Sequence, residues 1–146
     1  MSWPPHVTVA AIVTRNDHFL MVEELDQGSR VINQPAGHLE PNESLDQAVV
    51  REVHEETGYW VEPTAVIGLY QYQAPNSGPL FLRLCFAAEL VSHSSDPIDP
   101  DILDVLWLDR TDIHQRSTRS PLVERCIDDY LAGHQYPLHF YANVLS

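Results

Sequence analysis

Runs of apolar residues along the first third of the chain predict three strands. Residues 6–13, HVTVAAIV, are apolar and rich in β-branched side chains, which is typical of a buried strand. Residues 19–24, FLMVEE, follow a polar turn at residues 15–18, so we predict that they form a hairpin with that first strand. Residues 31–35, VINQP, predict a short strand that stops at the proline.

Further strands are predicted in the second half of the chain. Residues 65–74 and 80–90 are apolar segments on either side of the spacer PNSGP, residues 75–79, which predicts a second hairpin. The polar, proline-interrupted stretch 92–101 indicates a surface loop, and residues 105–109, VLWLD, predict a last strand.

Two helices have clear start and stop signals. The first is predicted to begin near Ser44 and to end at Gly58, a residue type common at helix C-termini. The second begins at Ser120 and Pro121, a capping residue followed by proline in the first turn, and ends at Gly133. Strands precede the first helix and lie between the two helices, so we predict an α+β fold in which a mixed β-sheet is sandwiched between helices (α/β/α).

Length and composition fit one globular domain over residues 1–146. No apolar run approaches the roughly 18 residues that span a bilayer, and the N-terminus lacks the features of a signal peptide, so we expect a cytoplasmic protein. Cys85 and Cys126 lie in no CxxC pair and are expected to be small buried residues. The sequence carries no signal for oligomerisation, and we expect a monomer.

The charge balance restricts the possible partners. The net charge of −13, with 8 basic residues, disfavours a nucleic-acid polymer or an anionic membrane, because both are bound through Lys and Arg. A phosphorylated small molecule would need another source of positive charge, and a bound divalent cation would supply it.

The stretch REVHEETG, residues 51–58, places glutamates where a helix should be apolar. On a helical wheel, Glu52 and Glu56 fall within about 20° of Leu45, which belongs to the apolar stripe, and Glu55 lies one step further round. Partly buried carboxylates either become protonated or share a cation, and clustered carboxylate oxygens suit Mg²⁺ or Mn²⁺. The alternative is an ordinary acidic helix face in contact with solvent.

Residues 37–59, GHLEPNESLDQAVVREVHEETGY, resemble the Nudix box at every fixed position. The strands before and after this segment are also similar to those of a Nudix domain, so the resemblance implies a Nudix fold. The segments PHVTVAAIV, NQPAGHLE and RSPLVERCIDDYLAGHQYPL resemble the NudJ-type phosphatases, a bacterial subgroup of the family. This resemblance implies Mg²⁺-dependent removal of phosphate from nucleoside tri- and diphosphates, hydroxymethylpyrimidine pyrophosphate and thiamine pyrophosphate.

The resemblance also implies roles for individual residues. The expected metal ligands are Glu52, Glu55, Glu56 and the backbone of Gly37. Glu43 matches the upstream box glutamate, with a supporting role. Arg51 matches the arginine that steadies the carboxylates by ion pairing, which suits a planar guanidinium.

A carboxylate must also activate the attacking water. We expect Glu52 to be this base, with Glu55 and Glu56 as the firmer metal ligands. Glu89, near the end of a predicted strand, is a second candidate, although an exposed strand-end charge is an equally good interpretation.

The organic part of the substrate needs a binding pocket. Arg83 lies on an apolar strand and either holds a phosphate or points to solvent, and Gln34, Arg30 and Tyr72 are further candidates. Trp3, Tyr70 and Trp107 are aromatic side chains that either stack on a planar ring or belong to the core.

Two other functions remain open. One is a Nudix hydrolase of different specificity, acting on dinucleoside polyphosphates or ADP-ribose. The other is a catalytically idle nucleotide-binding module. Such modules usually lose a box glutamate or the box arginine, and this interpretation is disfavoured because the chain keeps them all.

Overall fold

The computed structural model describes residues 4–145, which form eight strands and three α-helices. Trp3, one of the aromatic candidates, lies outside the described residues. The strands are β1 His6–Ile12, β2 Thr14–Arg15, β3 His18–Asp26, β4 Ser29–Asn33, β5 Ala36–His38, β6 Tyr59–Gln73, β7 Leu80–His93 and β8 Ile102–Leu108. The helices are α1 Leu45–Thr57, α2 Arg110–His114 and α3 Pro121–Leu131, followed by a short 3₁₀ helix, Leu138–Phe140.

The strands form two sheets. The first has the order β5-β1-β7-β6, in which β1 and β7 are parallel and the other pairs are antiparallel. In the second sheet β3 pairs antiparallel with β2, β4 and β8. The predicted α+β class with a mixed sheet is therefore confirmed.

The predicted hairpin between residues 6–13 and 19–24 is wrong. Strand β1 is paired along both edges by β5 and β7 of the first sheet, whereas residues 19–24 belong to β3 in the second sheet. The strand that does form a hairpin with β3 is β2, which has only two residues. The tight turn between them contains Asn16 and Asp17, which have positive φ angles of 52° and 63°. The sequence shows the turn but not the change of sheet just before it.

The buried side chains form two hydrophobic clusters, and strand β1 contributes to both because both of its faces are covered. Val9 and Ala11 belong to the cluster that contains Val49 and Val53 of α1. Ala10 and Ile12 alternate with them and belong to the cluster that contains Val123, Cys126 and Ile127 of α3. Successive side chains of a strand point to opposite faces, so this pattern places the first sheet between the two helices.

The helix boundaries agree with the sequence signals. The Ser44 side chain accepts a hydrogen bond from the Gln47 backbone, and the Gln47 side chain accepts one from the Ser44 backbone, which is a complete capping box. At the start of α3 the Ser120 side chain accepts a hydrogen bond from the Leu122 backbone. These caps satisfy N–H groups that have no partner within the helix.

Strand β6 begins six residues earlier than predicted. It starts at Tyr59 and continues through Pro63, where the pairing with β7 shifts register between Pro63 and Ala65. A proline and a bulge interrupt the apolar alternation, so the pattern alone does not reveal this part of the strand.

None of the helices within residues 4–145 has both the length and the apolar character needed to cross a membrane.

Gly58, at the end of α1, and Gly133, just after α3, allow the cost of packing a side chain at Gly58 to be separated from the cost of the backbone conformation. Both have left-handed φ angles, 79° and 87°, but an added Cβ would lie 3.0 Å from the Ser94 carbonyl oxygen at Gly58 and would meet no atom within 4 Å at Gly133. We predict that Gly133→Ala lowers the free energy of unfolding by about 1 kcal/mol, the cost of the left-handed backbone alone.

Gly58→Ala is expected to cost about 2–3 kcal/mol, because the contact with the Ser94 carbonyl adds to the backbone cost. Urea unfolding of both variants and the wild type measures the difference. An equal loss of unfolding free energy in the two variants would contradict the prediction, because it would show that the contact with the Ser94 carbonyl adds no cost at Gly58.

Candidate active site

The predicted carboxylates lie where helix α1 meets the edge strand β5. The Glu56 Oε1 atom accepts a hydrogen bond of 3.0 Å from the backbone N–H of Ala36. The Glu52 carboxylate occupies the space beside Gly37, where a Cβ would lie 2.1 Å from Glu52 Cδ. Glycine is therefore required at this position for Glu52 to lie directly against the strand.

Arg51 joins the carboxylates of α1 to one another and to β5. Its Nε and Nη2 atoms donate to the two carboxylate oxygens of Glu43 at 2.6 and 2.9 Å. Its Nη1 atom donates to Glu52 at 2.8 Å and to Glu55 at 3.2 Å, and Nη2 also donates to the His38 carbonyl at 3.1 Å. A planar guanidinium can make such a set of bonds because its donors point outward in a fixed fork.

Burial differs strongly among the glutamates of α1. Glu56 is buried and only 9% exposed, the side chain of Glu52 is 13% exposed, and that of Glu55 is 50% exposed. The helical wheel predicted that Glu55 is the most exposed of the three, since it placed Glu52 and Glu56 on the apolar stripe.

Burial controls the protonation of Glu56. Loss of hydration raises the pKa of Glu56 to about 9, against the hydrogen bond from Ala36, and the nearby charges of Glu52, Glu24 and Asp99 raise it further. Near neutral pH and without a cation, Glu56 is therefore protonated in the folded protein. A divalent cation that binds this carboxylate must displace the proton.

The neighbouring glutamates respond to Arg51 in different ways. Burial raises the pKa of Glu52, and the hydrogen bond and charge of Arg51 oppose this increase. The hydrogen bond from Arg51 lowers the pKa of Glu43, which is therefore firmly ionised. The same contacts, that with Glu43 above all, raise the pKa of Arg51, which keeps its charge under all ordinary conditions.

The residues at this junction fit a hard divalent cation in their chemistry. Glu52 and Glu56 present carboxylate oxygens beside Gly37, and such oxygens are the ligands that Mg²⁺ and Mn²⁺ prefer. The complete cluster expected from the sequence is not assembled, because within residues 4–145 no three His, Cys, Asp or Glu side chains lie close enough together to hold an ion. Arg51 lies between Glu52 and Glu55 instead.

Two of the four candidate substrate-binding residues contact each other. Arg83 is 6% exposed, and its Nη1 atom donates to the Gln34 Oε1 atom at 3.1 Å. Its Nη2 atom lies 3.5 Å from the Asn33 side-chain oxygen, and its buried Nε–H has no hydrogen-bond partner among the described residues. Asn33 was missed by the sequence analysis, although it directly precedes Gln34.

The other candidate residues make different contacts. Tyr72 is half-buried and stacks on Phe81 with ring centroids 6.4 Å apart. Arg30 is exposed and forms an ion pair of 2.9 Å with Glu23. Glu89 is exposed on β7, opposite Glu62 of β6.

The remaining aromatic candidates have contacts within the protein. The Tyr70 hydroxyl donates to the Asp129 carboxylate at 2.7 Å. Trp107 makes an edge-to-face contact with Tyr59, and Arg15 lies 4.2 Å above the Trp107 ring.

Two acidic residues near Glu56 were also missed. Glu24 ends the apolar part of β3 and forms an ion pair of 2.9 Å with Arg119, and Asp99 lies in the loop before β8. Their charges raise the pKa of Glu56 because the second sheet and this loop pack beside α1. The spacing of residues along the sequence does not predict this packing.

Comparison with known proteins supports the assignment made from the motif. The model of the NUDIX domain matches residues 4–129. The chain is 46% identical to Phosphatase NudJ of Escherichia coli K12 over 136 residues, which covers 92% of this chain and 88% of that protein. A solved NUDIX hydrolase from Nitrosomonas europaea is 41% identical, with a TM-score of 0.92 over 96% of this chain and 97% of that one. The E. coli ORF135 protein, 20% identical with a TM-score of 0.72 over 89% and 91% of the two chains, shares the fold.

The raised pKa of Glu56 predicts how stability depends on pH in the absence of metal. The folded protein keeps a proton on Glu56 that the unfolded chain releases above its ordinary pKa of 4.5, so stability falls as the pH rises from about 5 to about 9. In EDTA, the unfolding free energy of the wild type should fall by at most about 1.4 kcal/mol per pH unit over this range. We predict that this pH dependence is absent in Glu56→Gln.

Chemical unfolding at several pH values, with and without Mg²⁺, measures this slope. Mg²⁺ should stabilise the wild type most at high pH and should not stabilise Glu56→Gln. Glu55→Gln is the matched control, because its side chain is half exposed, and it should keep the wild-type slope in EDTA. A wild-type slope that persists in Glu56→Gln would contradict the prediction.

Proposed function

This chain belongs to the Nudix family and is a pyrophosphohydrolase, and from that premise we propose that it is a Mg²⁺-dependent enzyme that releases orthophosphate. Its proposed substrates are nucleoside tri- and diphosphates and small pyrophosphates such as hydroxymethylpyrimidine pyrophosphate and thiamine pyrophosphate. The observation that carries this proposal is that the buried Glu56 and the partly buried Glu52 lie against Ala36 and Gly37 at the edge of the sheet.

The proposed metal ligands are Glu52, Glu55, Glu56 and the backbone of Gly37. Nudix hydrolases generally use a divalent metal, and the oxygen donors on this helix suit Mg²⁺, with Mn²⁺ as a substitute. When bound, the metal neutralises the charge that develops on the phosphate groups during hydrolysis. Arg51 and Glu43 then keep the side chains of α1 oriented, as residues that hydrogen-bond to metal ligands commonly do.

Glu52 is the proposed general base. Its carboxylate is partly buried, its pKa is raised by that burial, and one oxygen is held by Arg51 at 2.8 Å. A higher pKa makes a carboxylate a better proton acceptor for water. Glu89 remains the alternative, although its exposed position opposite Glu62 provides no comparable environment.

Arg83 and Gln34 are the best supported substrate-binding residues, and Tyr72 and Arg30 complete the proposed set. Arg83 is a donor-only side chain held by neutral partners, so a substrate oxygen can become its strongest acceptor. Arg30 is already paired with Glu23, which weakens its case.

We further propose a single domain over residues 1–146 and a cytoplasmic, monomeric enzyme. Cys85 and Cys126 are buried free thiols, which suits a reducing compartment.

Product identity tests the proposed reaction. With Mg²⁺ the purified protein should release orthophosphate from a nucleoside diphosphate, a nucleoside triphosphate and thiamine pyrophosphate, and EDTA should abolish the release because the metal offsets the charge on the phosphates. Chromatography of the products measures this. Pyrophosphate with a nucleoside monophosphate, or cleavage confined to ADP-ribose or dinucleoside polyphosphates, would indicate a different Nudix specificity. No hydrolysis in any arm would favour an idle binding module.

Substitution of the two candidate bases tests their roles. Glu52→Gln keeps the size of the side chain and should lower kcat about 100-fold or more, as expected for loss of a general base or metal ligand. Glu89→Gln is the matched control and should change kcat less than about three-fold, because its exposed side chain contributes little. Steady-state kinetics at saturating Mg²⁺ distinguishes the two, and the reverse order would identify Glu89 as the base.

A further inference from the structure

A groove lies between helix α1 and the start of strand β6, on the side of the helix that faces away from Glu52. Its volume is about 390 Å³, which is enough for a small organic molecule. Asp46, Val50 and His54 line it at intervals of four residues, so they form one stripe along the helix. Val50 lies about 160° from Glu52 around the helix axis, so this stripe is separate from the carboxylates that meet β5.

The middle of the groove is apolar. Trp60 and Pro63 form its β6 side, and Val50 lies on its α1 side. The Trp60 ring stacks on the His54 ring, with centroids 3.7 Å apart and an angle of 10° between the planes. Trp60 is nevertheless 41% exposed. The stacking fixes the indole in place, and its exposed surface can contact an alkyl chain or a cation.

Acidic side chains lie towards both ends of the groove. Asp46 is in the first turn of α1, and Glu55 is in the last turn. Asp96 lies near the same end as Glu55, with its carboxylate 3.3 Å from the His54 Nε2 atom. The Asp46 Oδ1 atom is buried and has no hydrogen-bond partner among residues 4–145. A carboxylate oxygen in this state is costly unless a donor reaches it, so Asp46 favours a cationic ligand.

Arg51 also lines the groove, but other groups of the protein neutralise its charge. Its Nε and Nη2 atoms donate to Glu43, and Nη2 also donates to the His38 carbonyl. Its Nη1 atom donates to Glu52 and Glu55. These contacts use all the N–H groups of the guanidinium, so Arg51 contributes its apolar stem to the groove. The net charge of −13 further attracts cations to this surface.

The spacing of the carboxylates suits an extended organic cation better than a metal ion. Asp46 and Glu55 are nine residues apart in the sequence. This separation corresponds to about 13 Å along the helix axis, which is too far for both side chains to bind one ion. A linear triamine such as spermidine spans about 11 Å when extended, so its two terminal ammonium groups can approach both ends of the groove.

We propose that this groove binds a linear aliphatic polyamine. One terminal ammonium group contacts Asp46, and the other lies at the end that holds Glu55 and Asp96. The methylene chain packs against Trp60 and Val50. Contacts between ammonium and carboxylate groups are charge-assisted hydrogen bonds, and an indole ring attracts both methylene groups and nearby cations. The site lies across α1 from the proposed hydrolytic site and does not depend on the proposed function.

Isothermal titration calorimetry of the Mg²⁺-saturated protein with spermidine tests the inference. The wild type should bind one spermidine, and Asp46→Asn should raise the Kd about ten-fold because a charge-assisted hydrogen bond is lost. Trp60→Leu should raise the Kd about five-fold through the loss of the indole surface. Butylamine carries a single ammonium group and cannot reach both ends, so it should bind at least about ten-fold more weakly than spermidine.

Asp112→Asn is the matched control, because Asp112 is also in the first turn of a helix, α2, but does not line the groove. It should change the Kd less than about two-fold at about 0.15 M salt, which screens distant charges. Thermal unfolding shows that each variant is folded, and Trp60→Leu decides the outcome if Asp46→Asn is unstable. An equal rise in Kd for Asp46→Asn and Asp112→Asn would show attraction by net charge alone and would overturn the inference, as would the absence of saturable binding to the wild type.

Discussion

The guanidinium of Arg51 is the contact on which the site depends. It holds both oxygens of Glu43, one oxygen of Glu52 and one of Glu55, and it also binds the His38 carbonyl of β5. Carboxylates this close on one helix repel one another, and a permanent cation among them offsets the repulsion. Because the same cation reaches the edge strand, the charge balance of α1 and its position on the sheet are set together.

The first sheet separates two tasks by its two faces. The face with Val9 and Ala11 packs on α1 and supports the helix that carries the glutamates. The opposite face, with Ala10 and Ile12, packs on α3, and Phe81 and Tyr72 on this face are only half-buried. Strand β5 lies at the edge of this sheet, where Glu56 and Arg51 of α1 contact its backbone.

Local patterns predicted the parts of the structure that depend on neighbouring residues. The caps at Ser44 and Ser120 lie where the sequence placed them, because capping is a hydrogen bond between residues two or three apart. The wheel also predicted that Glu56 is more buried than Glu55. The hairpin assigned to residues 6–13 and 19–24 failed, because strand pairing depends on which sheet each strand joins.

The sequence by itself determined the helix that carries glutamates on its apolar stripe, and the family to which the chain belongs. These features follow from residue type and spacing within 23 residues of continuous chain. Only the tertiary structure decided that Arg83 is buried with no acidic partner among residues 4–145, that Asn33 and Gln34 contact it, and that Glu24 and Asp99 lie near Glu56. Those contacts join residues that are distant in the chain, and they exist only once two sheets and two helices have packed together.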